Sequence, residues 1–95
     1  QGSEQSGTRP VVILSNNMNN KHSSVVNVAA ITTKNKPLPV HVHVGTEGGL
    51  KNDSTVLLEQ VTAVDKKRLV HKLGEFSQEI MDRINSALMM QFALC

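Results

Sequence analysis

Val40-His41-Val42-His43-Val44 alternates apolar and polar residues at a strict period of two. That period belongs to an extended strand, whose successive side chains point to opposite faces. The valines are expected to face a core and the histidines to face away, on a half-exposed strand. A different period governs the far end. Ser77 is a suitable N-cap, and Ile80, Ile84, Ala87 and Leu88 follow at helical spacing, with Glu79 and Arg83 placed to pair at i,i+4 on the outer side. A chain of 95 residues is one domain, 1–95, able to bury roughly 60–65 % of its unfolded surface.

The stretches between fill in a mainly β plan. Pro10 to Asn16 reads as a strand whose run Val11-Val12-Ile13-Leu14 predicts cover on both faces. Asn16 to Ser24 is polar and turn-forming. Val25 to Thr32 is a second, β-branched strand, followed by a basic linker with Lys34 and Lys36. Ser54 to Val61 is a fourth strand, Asp65 caps a short turn through Arg68, and Leu69 to Leu73 is a further extended candidate closed by Gly74. Short strands followed by one terminal helix describe a small β-barrel with a helix packed on it.

Composition excludes several classes. The single cysteine, Cys95, rules out a disulfide framework and points to a reducing compartment. No apolar run approaches the roughly 20 residues needed to span a bilayer, and no signal peptide is visible. The net charge of +2 is compatible with nucleic acid without arguing for it. Lys66-Lys67-Arg68 reads as a solvated turn. Trp and Tyr are absent, leaving Phe76 and Phe92, fewer than an aromatic base-stacking platform normally uses.

Chemistry concentrates near the start. Arg9 stands before Pro10, which forces it into an extended conformation and makes its side chain project from the strand entry. Its guanidinium is always charged and can grip two phosphate oxygens at once, or it can form a surface ion pair, for instance with Glu4. Thr32 ends the second strand. One fixed cation and one hydroxyl at two strand ends, beside the polar loop Gly2-Ser3-Glu4-Gln5, suit an anion such as a phosphodiester.

The wording of the chain is distinctive as well. Gly2-Ser3-Glu4-Gln5 with Arg9-Pro10-Val11, then Asn16 and Asn20, Val28-Ala29-Ala30-Ile31-Thr32, Pro39-x-His41-Val42, Asp53-Ser54-x-Val56-Leu57-Leu58-Glu59-Gln60 and Asp65-Lys66-x-Arg68-Leu69 stand in one order. That order resembles the MazF/PemK/Kid toxins of type II toxin–antitoxin pairs, over nearly the full length. The resemblance implies an SH3-like barrel of CcdB/MazF type with a C-terminal α-helix. It implies a sequence-specific, ribosome-independent endoribonuclease that needs no metal or other cofactor. It also implies a homodimer in the cytoplasm, held inactive by a cognate MazE-like antitoxin. Arg9 and Thr32 fall on the family's catalytic pair. Ser3, Glu4, Gln5 and Gln60 fall on implied RNA contacts, and Gln60 is preferred over Glu59 because neighbours on a strand face opposite ways. Glu4 is a candidate general base. Gln1 aligns inside the loop after the family's first strand, which is missing from this sequence. Val40 stands where the family usually has threonine.

Two other readings compete. His41-x-His43-x-x-x-Glu47 resembles the first metal motif of cupins, but Asn35 and Ser54 stand where glycines belong and no second histidine motif follows. A polar strand face is the simpler account. A CcdB-like gyrase-binding toxin shares the barrel, but its function depends on a Trp-Gly-Ile ending, whereas this chain ends Phe92-Ala93-Leu94-Cys95. His22 and His71 are assigned no role. Met81, Met89 and Met90, with the apolar tail Ala87 to Cys95, are expected to pack on the core or on a partner.

Overall fold

The computed structural model describes residues 8–14, 21–34 and 38–93. Four antiparallel strands, β1 (Val11–Ile13), β2 (Val25–Thr32), β3 (His41–Gly45) and β4 (Ser54–Asp65), form one sheet in the order β1-β2-β4-β3. A single long helix, α1 (Gln78–Ala93), follows. The chain is mainly β, as its sequence predicts.

β4 is the organising strand. Its first half pairs on both sides, with Ala30–Thr32 of β2 and with His41–Gly45 of β3. Its second half pairs with Val25–Ala29 of β2. Between the halves Ala30 faces Leu57 while Ala29 faces Val61, so Leu58, Glu59 and Gln60 have no partner on β2. Extra residues on one strand bend it and increase its twist. The bulge therefore curls the sheet, while Leu58, two residues from the buried Val56, keeps the inward face and is fully buried, its N–H donating to the Val40 carbonyl at 3.1 Å.

The inner face carries Val12, Ala29, Val42, Val44, Val56 and Leu58, and α1 closes over it with Ile80, Ile84 and Ala87. The alternation along β3 is as expected: Val40, Val42 and Val44 are buried. Ser77 caps α1 by accepting from the Ile80 N–H at 3.2 Å, which satisfies one of the free amides of the first turn. Asp65 likewise accepts from the Lys67 N–H at 2.9 Å and caps the turn Lys66–Arg68.

Other expectations need correcting. β1 is an edge strand with one face covered: Val12 is buried, but Val11 and Ile13 are each 38 % exposed. An unbroken apolar run gave no sign of this. Strand β4 runs to Asp65 rather than stopping at Val61. Leu69 to Leu73 joins no sheet. Arg83 does not pair with Glu79; its guanidinium reaches the free edge of β3 and donates to the His43 carbonyl at 3.3 Å. Met81 does pack beside the core, whereas Met89, Met90 and Phe92 are exposed, and Leu94 and Cys95 lie outside the described residues.

The turn after β3 fixes where α1 begins. Gly49 has φ +83°, and a Cβ there would lie 2.3 Å from the Leu73 carbonyl oxygen. A Cβ on Gly74 would lie 2.6 Å from the Gly48 oxygen. Only glycine allows two backbones this close. The contact anchors the approach to α1 against the end of β3.

Candidate functional site

Register brings the two leading site residues together. Val11 stands opposite Ala30, and the Ile31 N–H donates to the Pro10 carbonyl at 3.3 Å. Continuing that pairing puts Arg9 opposite Thr32. Thr32 in turn faces Thr55 of β4, and Thr55 faces His43 of β3. Directly opposed residues share a face. Arg9, Thr32, Thr55 and His43 therefore form one row across the sheet, on the side away from α1.

At the Arg9 end lies an open depression of about 230 Å³, lined by Arg9, Pro10, Ile31, Thr32, Thr33, Lys34 and Ser54. Among the described residues, two cations and three hydroxyl-bearing side chains border it and no carboxylate does. Among the described residues Arg9 has no salt-bridge partner. The hydroxyl oxygen of Thr32 accepts from the Lys34 amide at 3.1 Å, so its hydrogen is left to donate outward. The Ser54 hydroxyl donates to the Asn52 carbonyl at 2.7 Å and is buried, so it shapes the wall. These groups suit a doubly ligated oxyanion: a guanidinium fork beside a hydroxyl donor.

Lys34 is the residue that sequence reading missed, since it looked like part of a basic linker. The signal was present in Thr32-Thr33-Lys34. A threonine oxygen commonly accepts from an amide two residues on, turning the chain back beside the strand end.

The remaining expected contacts are not gathered there. Gln60 is exposed on the bulge of β4, five residues beyond Thr55, or about 16 Å of extended strand. The opposite-face rule used to choose it over Glu59 does not operate at the bulge, because alternation changes phase between Leu57 and Val61. Glu59 itself hydrogen-bonds His41 at 2.8 Å. Ser3, Glu4 and Gln5 lie outside the described residues, as do Asn16, Asn20 and Asn35.

His41 and His43 do not converge. His41 is held by Glu59 and His43 by Asp53, each at 2.8 Å. Among the described residues no group of three or more His, Cys, Asp or Glu side chains is arranged to hold a metal ion. No helix among them is long and apolar enough to cross a membrane.

Comparison with known proteins agrees with this architecture. Residues 1–92 match the model of the PemK-like, MazF-like toxins of type II toxin–antitoxin systems. The chain is 41 % identical over 96 residues to endoribonuclease EndoA of Bacillus subtilis (strain 168), covering 98 % of this chain and 83 % of that protein. Among solved structures it resembles an endoribonuclease in complex with its cognate antitoxin from Mycobacterial species, with a TM-score of 0.85 and 30 % identity over 96 % of this chain and 86 % of the other. It also resembles the Mycobacterium tuberculosis toxin MazF-mt6, with a TM-score of 0.84 and 27 % identity over 90 % of this chain and 86 % of the other. A family match over residues 1–92, reached independently of the row that joins Arg9 to Thr32, settles the kinship: this chain is a member of the PemK-like, MazF-like toxin family of type II toxin–antitoxin systems.

Proposed function

We infer that this chain is a sequence-specific, ribosome-independent endoribonuclease toxin that cuts single-stranded RNA, with Arg9 and Thr32 as its catalytic pair. The observation that carries this reading is the convergence of Arg9 and Thr32, from neighbouring strands, on one depression that Lys34 also borders. Its kinship with EndoA, named as an endoribonuclease, supports it.

The chemistry follows from the substrate. RNA carries its own nucleophile, a 2′-hydroxyl next to the scissile phosphate. The 2′-oxygen attacks phosphorus, the bond to the 5′-oxygen breaks, and the products are a 2′,3′-cyclic phosphate and a 5′-hydroxyl. The enzyme aligns the attacking and departing oxygens and stabilises the charge that grows on the phosphorane. Arg9 spans the non-bridging oxygens and supplies a hydrogen-bond donor toward the departing oxygen. Thr32, its own oxygen held by the Lys34 amide, donates its hydrogen to phosphate and fixes the approach. Glu4 is the group proposed to accept the 2′-hydroxyl proton, and Ser3, Gln5 and Gln60 to contact RNA. None of these steps requires a metal or another cofactor.

The toxin works as a cytoplasmic homodimer silenced by a cognate antitoxin. The related Mycobacterial endoribonuclease was solved with its antitoxin. A disordered acidic segment laid across Arg9 and Lys34 would compete with RNA for the same charges.

The test uses a long single-stranded RNA, the same sequence as DNA, and the RNA with a 2′-deoxy sugar at a mapped cut site, all with EDTA present. Discrete RNA fragments with cyclic phosphate ends are expected, with the DNA and the deoxy-substituted linkage left whole. Cleavage at the deoxy linkage would refute attack by the 2′-oxygen.

A further inference from the structure

Strand β4 changes phase where it has least support. Val56 and Leu58 are buried in the core, so Thr55 and Leu57 point outward. Val61 packs beside the core again, opposite the buried Ala29. Three steps separate Leu58 from Val61, and strict alternation cannot bring both inward. The bulge absorbs the difference by leaving Glu59 and Gln60 both outside, and both are exposed. Neither has a partner on β2.

The neighbouring strand β3 holds this stretch instead, by two contacts. The Leu58 N–H donates to the Val40 carbonyl. The next residue, His41, brings Nε2 to 2.8 Å from the Glu59 carboxylate oxygen Oε2. The His41 side chain is only 8 % exposed, so its ring is fixed by packing as well as by the carboxylate. An imidazole protonated at Nε2, neutral or charged, donates to that oxygen.

The pair stands between the row of Arg9 and Thr32 and the amide of Gln60. His41 faces Leu57, and His43 faces Thr55, so His41 is about 7 Å along the strand from that row. Two neighbours on the bulge then differ sharply. Glu59 is held by His41, whereas the Gln60 amide has no hydrogen-bond partner among the described residues. A primary amide offers a donor beside an acceptor, which matches the edge of an unstacked base. It reads that edge well only if its backbone is already fixed, because ordering it on binding costs affinity.

We propose that His41 and Glu59 are positioning residues for RNA recognition: their hydrogen bond clasps the bulge of β4 and holds Gln60 outward to meet a base beyond the cut linkage. This rests on the endoribonuclease reading above and on Gln60 as one of its RNA contacts. Glu59 and Gln60 are then not alternatives. One fixes the bulge and the other touches the substrate.

The test measures kcat and KM and maps cleavage ends on a long RNA of mixed sequence. It compares the wild type with Gln60→Ala, His41→Ala, His41→Gln, Glu59→Ala and the double variant His41→Ala/Gln60→Ala, with circular dichroism to confirm folding. Gln60→Ala is expected to raise KM roughly tenfold and relax one base preference, with kcat little changed. His41→Ala and Glu59→Ala should each shift KM and that same preference in the same direction. Because Glu59 is exposed, Glu59→Ala carries the test even if His41→Ala does not fold. His41→Gln, whose amide still donates to Glu59, should recover most of the loss. The double variant should be no worse than Gln60→Ala, since the clasp then has nothing left to position. Wild-type KM and cut sites in Glu59→Ala, or losses that add in the double variant, would overturn the clasp. Wild-type KM and cut sites in Gln60→Ala would overturn Gln60 as an RNA contact, and the clasp's role with it. An RNA that the wild type leaves whole would instead overturn the nuclease reading.

Discussion

The two faces of this sheet are built from the same strands and do opposite things. The face under α1 is closed: Val56 and Leu58 are fully buried against Ile84. The outer face carries the row that Arg9 joins, with an exposed Arg9, a half-buried Thr32, a buried Thr55 and an exposed His43 at its far end. Because strand side chains alternate, neighbours in sequence serve different purposes. Ile31 packs against the core and lends the depression an apolar wall, while Thr32 offers it a hydroxyl. Stability and chemistry should therefore separate at the scale of single residues, and that separation can be attacked from either side.

The largest effect is expected on the closed face. Leu58→Ala should cost about 2–5 kcal/mol of stability, out of a total near 5–15 kcal/mol for a domain of this kind. Urea unfolding measures it. A loss under about 0.5 kcal/mol would mean that Leu58 is not part of the packed core.

On the open face, Thr32→Val keeps shape and removes the hydroxyl. Cleavage should fall roughly tenfold, the worth of one hydrogen bond, with the unfolding midpoint nearly unchanged. A drop in stability with full activity would reverse the assignment of faces. Lys34→Ala should weaken RNA binding at low salt and lower the slope of log affinity on log salt by about 0.7, one phosphate contact on a single strand. An unchanged slope would remove Lys34 from the RNA path.

The smallest effect lies away from both faces. The Lys72 ammonium hydrogen-bonds Glu75 and holds its carboxyl below the ordinary value. A carboxyl lowered in the folded state stabilises above its unfolded pKa and loses that contribution as pH falls through its folded pKa. Lys72→Ala should return the Glu75 titration toward the ordinary carboxylate value, read by NMR. Because both groups are exposed, overall stability should barely move.

Much of this was legible in the sequence because it is local. The bounds of β2, the alternation along β3, and the caps at Ser77 and Asp65 all depend on neighbours within a few residues. Arg9 and Thr32 were marked by family wording and by their places at strand ends. What escaped was set by distant partners. The bulge at Leu58–Gln60 comes from a change of register against β2, which spoiled the choice between Glu59 and Gln60 by alternation. Arg83 prefers a carbonyl forty residues away to Glu79 on its own helix. Exposure of Val11 and Ile13 follows from β1 lying at the sheet edge, which an apolar run cannot reveal.

The most direct measurement of the central claim is single-turnover RNA cleavage by Arg9→Ala, with a thermal melt of the same sample. The expected result is a loss of about 100- to 1000-fold, typical of removing a donor to a developing oxyanion, at an unchanged melting temperature. Cleavage at the wild-type rate by a folded Arg9→Ala would contradict the account and move the chemistry away from the depression that Arg9 and Thr32 share.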